Sequence, residues 1–84
     1  MTKRVVSRLR RPVQPMPAFV RNALVERRLR PAYRRRPPSQ RNDYLGWINR
    51  ARLESTKQKR LAQMLDELEA GNRYMKMSWR GPAR

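Results

Sequence analysis

Residues 37–71, PPSQRNDYLGWINRARLESTKQKRLAQMLDELEAG, decide the fold. Tyr44, Trp47, Ile48 and Ala51 fall at i, i+3, i+4 and i+7, the spacing that lines one stripe of a helix. Leu61, Met64, Leu65 and Leu68 repeat that pattern. Pro37-Pro38 cannot lie inside a helix, and Ser39 directly after them is able to accept a backbone N–H bond, so Ser39 is the expected N-cap of the first of these helices. Asp43, in the first turn or just after it, suits the positive end of the helix dipole. Ser55 and Gln58 have the spacing of a capping box for the second helix, and Gly71 is its expected left-handed stop. Two short stripes facing each other across Leu53-Glu54-Ser55 form a helical hairpin.

The run from Arg36 through Pro37, Pro38, Ser39, Gln40, Arg41, Asn42, Asp43, Tyr44, Leu45, Gly46 and Trp47 to Ile48 is followed by Ala51, Thr56, Lys57, Lys59-Arg60-Leu61 and Met64-Leu65. These residues together resemble the C-terminal helical domain of the YdeI/OmpD-associated family, also described as bacteriocin-protection proteins. The likeness spans Pro17 to Met77 and is densest from Arg36 to Leu68. It implies an all-α fold and, for function, a protein-interaction adaptor in bacteriocin protection or envelope tolerance. It implies no catalytic residue. Longer members of the family carry another domain ahead of the helices, for which this chain has no room, so a function seated in that domain is not expected here.

Eighty-four residues allow one small domain, whose core seldom supplies more than ~3–5 kcal/mol of net stability. The absence of cysteine excludes disulfides, thiol chemistry and Cys-based metal sites. Histidine is absent too, which removes the commonest general base and the commonest zinc ligand. Of the six carboxylates, Asp66, Glu67 and Glu69 crowd one helix end, and the three glycines, at 46, 71 and 81, form no phosphate-cradling loop. Catalysis, a cofactor, a metal and a small-molecule substrate are therefore not expected.

Charge is the strongest compositional signal, with 22 Lys+Arg against 6 Asp+Glu and a net charge of +16. Residues 1–36 carry twelve basic residues and one acid, for +11, and residues 37–84 carry ten and five, for +5. Such a chain attracts polyanions. The expected phosphate contacts are Arg34, Arg35, Arg36 and Arg41 around the proline turn, with Lys57, Lys59 and Arg60 at the start of the last helix. Binding through the nucleic-acid backbone (RNA, DNA or a ribonucleoprotein) is the leading expectation, because the last two helices lack the Asn/Gln/Arg array of a base-reading helix-turn-helix. Its affinity would fall with salt at a log–log slope of about −0.9 per phosphate on duplex DNA and about −0.7 on single strands. The adaptor reading is the alternative, with docking through Trp47, Met75 or Trp79 that barely responds to salt. No apolar run approaches the ~18 residues of a membrane span, and Pro12, Pro15 and Pro17 interrupt any N-terminal amphipathic helix, so the expected location is cytoplasmic.

Outside residues 37–71 the pattern is looser. Residues 1–16 read as a basic flexible arm. A helix from Pro17 to Arg30 would present Phe19, Val20, Ala23 and Leu24 as its apolar face, with Leu29 closing it and Pro31 ending it, while Ala32-Tyr33 adds a turn. Gly46, inside a helix, either admits close approach by a neighbouring helix or segment, the favoured reading, or is tolerated because packing dominates. The last helix has Lys57, Lys59 and Arg60 at its start and Asp66, Glu67 and Glu69 at its end, against the dipole rule. Two readings stand: surface variation, or pairing of the acidic end with arginines of the first helix or the arm. After Gly71, Met75, Met77 and Trp79 alternate with polar residues, which is extended-chain spacing. They form either a strap packed on the helices or an exposed strap for a protein partner. The expected whole is a small all-α domain of three helices, about 17–30, 40–52 and 56–70, within a helical domain 17–79, with a basic N-terminal arm and a tail at 80–84.

Overall fold

The two stripes of residues 37–71 do face each other. In the computed structural model, which describes residues 12–80, the described residues form helices α1 (Ala18–Glu26), α2 (Arg30–Arg35), α3 (Pro38–Arg50) and α4 (Glu54–Ala70). An antiparallel pair follows, β1 (Arg73–Tyr74) with β2 (Met77–Ser78), in which Tyr74 opposes Met77 and Arg73 opposes Ser78. Tyr44, Leu45 and Ile48 of α3 meet Leu61, Met64, Leu65 and Leu68 of α4 in one buried cluster, which Val20 and Leu24 of α1, Leu29 and Tyr33 complete. Each such aliphatic side chain removed from water contributes about 1.5–3 kcal/mol.

Helix is the dominant structure, as expected, but the count of three is corrected to four because the first expected helix breaks after Glu26. Arg28 there is left-handed, at φ 59°. The Leu29 N–H donates to the Leu24 carbonyl at 2.8 Å and the Arg28 N–H to the Val25 carbonyl at 3.1 Å, the paired bonds of a Schellman stop. Leu24 and Leu29, both buried, supply the apolar contact that accompanies this stop. Burying Leu29 thus turns the chain, and Arg28 occupies the position at which glycine is favoured. Pro31 then starts α2 at its first turn instead of ending α1.

The expected caps also move. Helix α3 begins at Pro38 with Pro37 as its N-cap, so Ser39 lies inside the first turn and makes no capping bond. Helix α4 begins at Glu54 after Leu53, and Gln58 donates to the Glu54 carboxylate at 2.9 Å, so Ser55 and Gln58 form no capping box. In both places the chain enters helix two residues earlier than the polar cap signal implied. Gly71 ends α4 in the left-handed region as expected, at φ 84°.

Residues 1–11 of the expected arm, and 81–84 of the expected tail, lie outside the described residues. Residues 12–16 carry no helix or strand and are fastened to α3. The Gln14 N–H donates to Asn42 Oδ1 at 2.7 Å, Asn42 Nδ2 donates to the Pro12 carbonyl at 3.0 Å, and Asn49 Nδ2 donates to the Pro15 carbonyl at 3.1 Å. Gly46 lies between these two asparagines, and a Cβ added to it would stand 3.2 Å from Gln14 Cγ and from Arg50 Nη1. The close approach expected at Gly46 is therefore that of the proline-rich segment.

The C-terminal strap is corrected to a hairpin. Met75 and Lys76 form its two-residue turn with φ 51° and 67°, the two positive values that a type I′ turn requires. Met75 packs on the core, whereas Met77 on the return strand is 57% exposed.

Two substitutions test this account by chemical denaturation. Gly46→Leu should lower stability by about 1–3 kcal/mol through overpacking against residues 12–16. Arg28→Gly should raise it by about 1 kcal/mol by removing the left-handed penalty of a side chain.

Candidate functional site

A Met-Lys pair does not choose a type I′ turn by itself; the preference is for Asn-Gly. The turn is held from outside by Glu67, a buried carboxylate near the end of α4. The Met75 N–H reaches Glu67 Oε1 at 2.9 Å and the Lys76 N–H reaches Oε2 at 2.7 Å. Gln63 Nε2 also donates to Oε2, at 3.2 Å, and the Tyr44 hydroxyl donates to Oε1. Two donors on each oxygen fill the carboxylate's accepting capacity.

Arg36 closes the same region from the side. Its side chain donates to Gln40 Oε1 at 3.1 Å and to the Glu67 main-chain carbonyl at 3.0 Å, and its guanidinium lies 4.1 Å from the centre of the Trp79 ring. Tyr74 stands edge-on to Tyr44, with ring centres 5.4 Å apart, and its hydroxyl donates to Asp43 at 2.6 Å. Burial by itself would raise the Glu67 carboxyl. The Tyr44 hydroxyl, the turn N–H groups of Lys76 and Met75 and the Gln63 amide overcome it and hold Glu67 below its ordinary 4.5. Burial, together with the bond to Glu67 and its negative charge, pushes the Tyr44 phenol far above its ordinary value. Burial likewise lowers Arg36, against the opposing influence of Tyr44 and Glu67. With its lone pairs filled by chain donors, Glu67 is placed to hold structure.

The hairpin so fixed forms one wall of a groove of about 550 Å³. Trp47 of α3 and Tyr74, Met75 and Met77 of the hairpin line it, with Pro12 at one margin and Arg50 at another. Rigid aromatic rings beside adaptable thioethers are the side chains by which proteins grip other proteins.

The seven cations expected as phosphate contacts lie in several places. Arg36 is only 3% exposed and points inward, which removes it as an external contact. Lys57 Nζ donates to the Asn49 carbonyl at 3.3 Å, and Arg60 donates to the Trp47 carbonyl at 2.6 Å while lying over the Trp47 ring at 5.3 Å. Lys59 and Arg60 share a shallow concavity with Trp47 and Lys76, Arg41 borders another with Tyr33 and Leu45, and Arg34 a third with Arg28 and Arg30. Arg35 is exposed at the end of α2. The acidic end of α4 does pair with the first helix, through Arg27 at 2.5 Å from Glu69 and 3.6 Å from Asp66. These side chains are exposed, so the contribution is about 0–1 kcal/mol. No helix among the described residues is long and apolar enough to cross a membrane.

Sequence reasoning missed Glu67 and the inward role of Arg36. One signal was present: Glu67 follows Met64 by three residues and Gln63 by four, which places it on the margin of the apolar stripe.

Four short helices closed by a carboxylate-anchored hairpin define a small helical domain with an aromatic and methionine groove. The family described as Bacteriocin-protection, YdeI or OmpD-Associated matches residues 15–71, and the chain belongs to that family. The matched segment contains all four helices, Glu67 and Gly71, whereas the hairpin follows it. No curated protein and no solved structure matches the chain.

Between 4.5 and the lower value of folded Glu67, the unfolded chain binds a proton that the folded chain does not. Stability from this group is therefore complete above 4.5 and is lost as the pH falls through that window. Glu67→Gln should cost about 2–3 kcal/mol at neutral pH and flatten the acid limb of stability against pH, measured by urea denaturation across the acid range.

Proposed function

We propose that this protein is a non-enzymatic adaptor in bacteriocin protection, docking a segment of another protein in the groove between α3 and the hairpin. The observation that carries the reading is the half-exposed Met77, which lines that groove together with Trp47, Tyr74 and Met75, on a hairpin that Glu67 holds in place. The segment suited to it is apolar, with an acidic group beside Arg50. Membership of the bacteriocin-protection family supports the same direction. A carboxylate saturated by four chain donors and a chain without histidine or cysteine favour binding over catalysis.

Binding to nucleic acid has less support. Three of the seven expected contacts, Arg36, Lys57 and Arg60, bond to main-chain carbonyls of the protein itself, and the remainder border separate concavities or stand alone.

The test is survival under bacteriocin challenge in a sensitive bacterium expressing the protein. Met77→Glu places a charge in the groove at an exposed site and should leave the thermal midpoint within a few degrees, since surface substitutions usually stay within about ±0.5 kcal/mol. It is expected to abolish protection. Full protection by the folded M77E protein would overturn the reading, as would protection lost only when the exposed arginines are neutralised.

A further inference from the structure

The junction of α1 and α2 gathers two locally unfavourable features and an exposed apolar side chain in one place. Arg28 holds a left-handed conformation that favours glycine. Arg30 and Arg34, four residues apart on α2, are like charges on one helix face, which is unfavourable. Val25 is 51% exposed beside them. All four line one concavity of about 400 Å³, whose apolar floor is completed by Leu24 and Pro31. Local strain gathered at one exposed point is a signature of a surface kept for a ligand.

Among the described residues no carboxylate pairs with this cluster. All six Asp and Glu side chains lie among the described residues. Asp66 and Glu69 face Arg27, Glu54 takes Gln58, Asp43 takes Tyr74, and Glu67 is enclosed by its four donors. Glu26 forms no ion pair with Arg28, Arg30 or Arg34 among the described residues. Residues 1–11 carry five basic residues and no acid.

We propose that this concavity is a second docking surface, which captures an acidic segment of a partner protein. Guanidinium groups fork onto carboxylates in pairs, so Arg28, Arg30 and Arg34 hold Asp or Glu side chains around the rim. An aliphatic side chain of the same segment covers Val25 and Pro31. The floor favours a protein segment over a single-stranded nucleic acid: Leu24, Val25 and Pro31 offer no ring on which a base can stack. This surface shares no lining residue with the groove of Trp47 and Met77 and is independent of it.

Fluorescence anisotropy with a labelled peptide of repeating Leu-Glu-Glu tests the proposal, beside the Leu-Gln-Gln peptide and a single-stranded RNA of equal charge. Because any acidic probe is drawn to a protein of net charge +16, the triple variant Arg28→Gly, Arg30→Gln, Arg34→Gln is compared with Arg52→Gln, Arg73→Gln, Arg80→Gln, which removes the same charge at exposed sites elsewhere. The Glu peptide should bind the full-length protein and lose about tenfold in affinity in the first triple but only about twofold in the second. Arg28→Gly alone should weaken the peptide while raising the thermal midpoint, which separates lost binding from lost folding. The Val25 methyl resonances should shift with peptide, and Met77→Glu should leave peptide binding unchanged. Equal losses in the two triples, equal binding of the Gln peptide, or RNA that binds more tightly than the Glu peptide through these three arginines would overturn the proposal.

Discussion

One carboxylate holds the C-terminal part of this fold in place. Glu67 binds both N–H groups of a hairpin turn whose own residues oppose its shape, and it ties that turn to Tyr44 on α3 and Gln63 on α4. A left-handed side-chain residue costs about 1–2 kcal/mol, whereas a hydrogen bond to a charged group contributes about 1.5–3 kcal/mol. The bonds outweigh the strain, so the hairpin is positioned by α4 and not by its own sequence. In a domain this small, an external anchor of that size is a large part of the margin for the terminal segment.

Internal bonds also take up part of the cationic excess. Arg36, Lys57 and Arg60 satisfy carbonyls inside the domain, and two of the guanidiniums stack on tryptophans. The cationic excess is therefore not one uniform surface. Part of it is structural, part is an exposed ion pair at Arg27, and part, around Arg28, Arg30 and Arg34, is without an internal counter-charge among the described residues. The groove bounded by Trp47 and the hairpin methionines shares no lining residue with that last part. Membership of the bacteriocin-protection family bears on the α3 wall of that groove, which lies within the matched residues 15–71, while the β1 and β2 wall follows them.

The helices were legible because their signal is periodic and local. Tyr44 and Ile48, and Leu61, Met64, Leu65 and Leu68, occupy the buried positions that their spacing assigns, and Gly71 ends α4 in the left-handed region. Gly46 was legible as a point of close approach, although not which segment approaches it. Boundaries were less so. Ser39 and Ser55 carry the right chemistry for caps, yet each helix starts at the residue before, because a proline at one start and a leucine-to-glutamate entry at the other already set the backbone.

What the amino-acid order determined by itself was a mainly helical domain with two facing stripes and outward arginines, since 3.6-residue spacing and side-chain charge act over one or two turns. Tertiary structure alone decided the break at Arg28, the hairpin at Met75-Lys76 and the inward turn of Arg36. Each depends on a partner far along the chain or on what packing buries: Leu29 entering the core, the Glu67 carboxylate eight and nine residues before the turn, and the Glu67 carbonyl 31 residues beyond Arg36. Such contacts leave no period in a sequence, because they are fixed by which surfaces meet once the helices have packed.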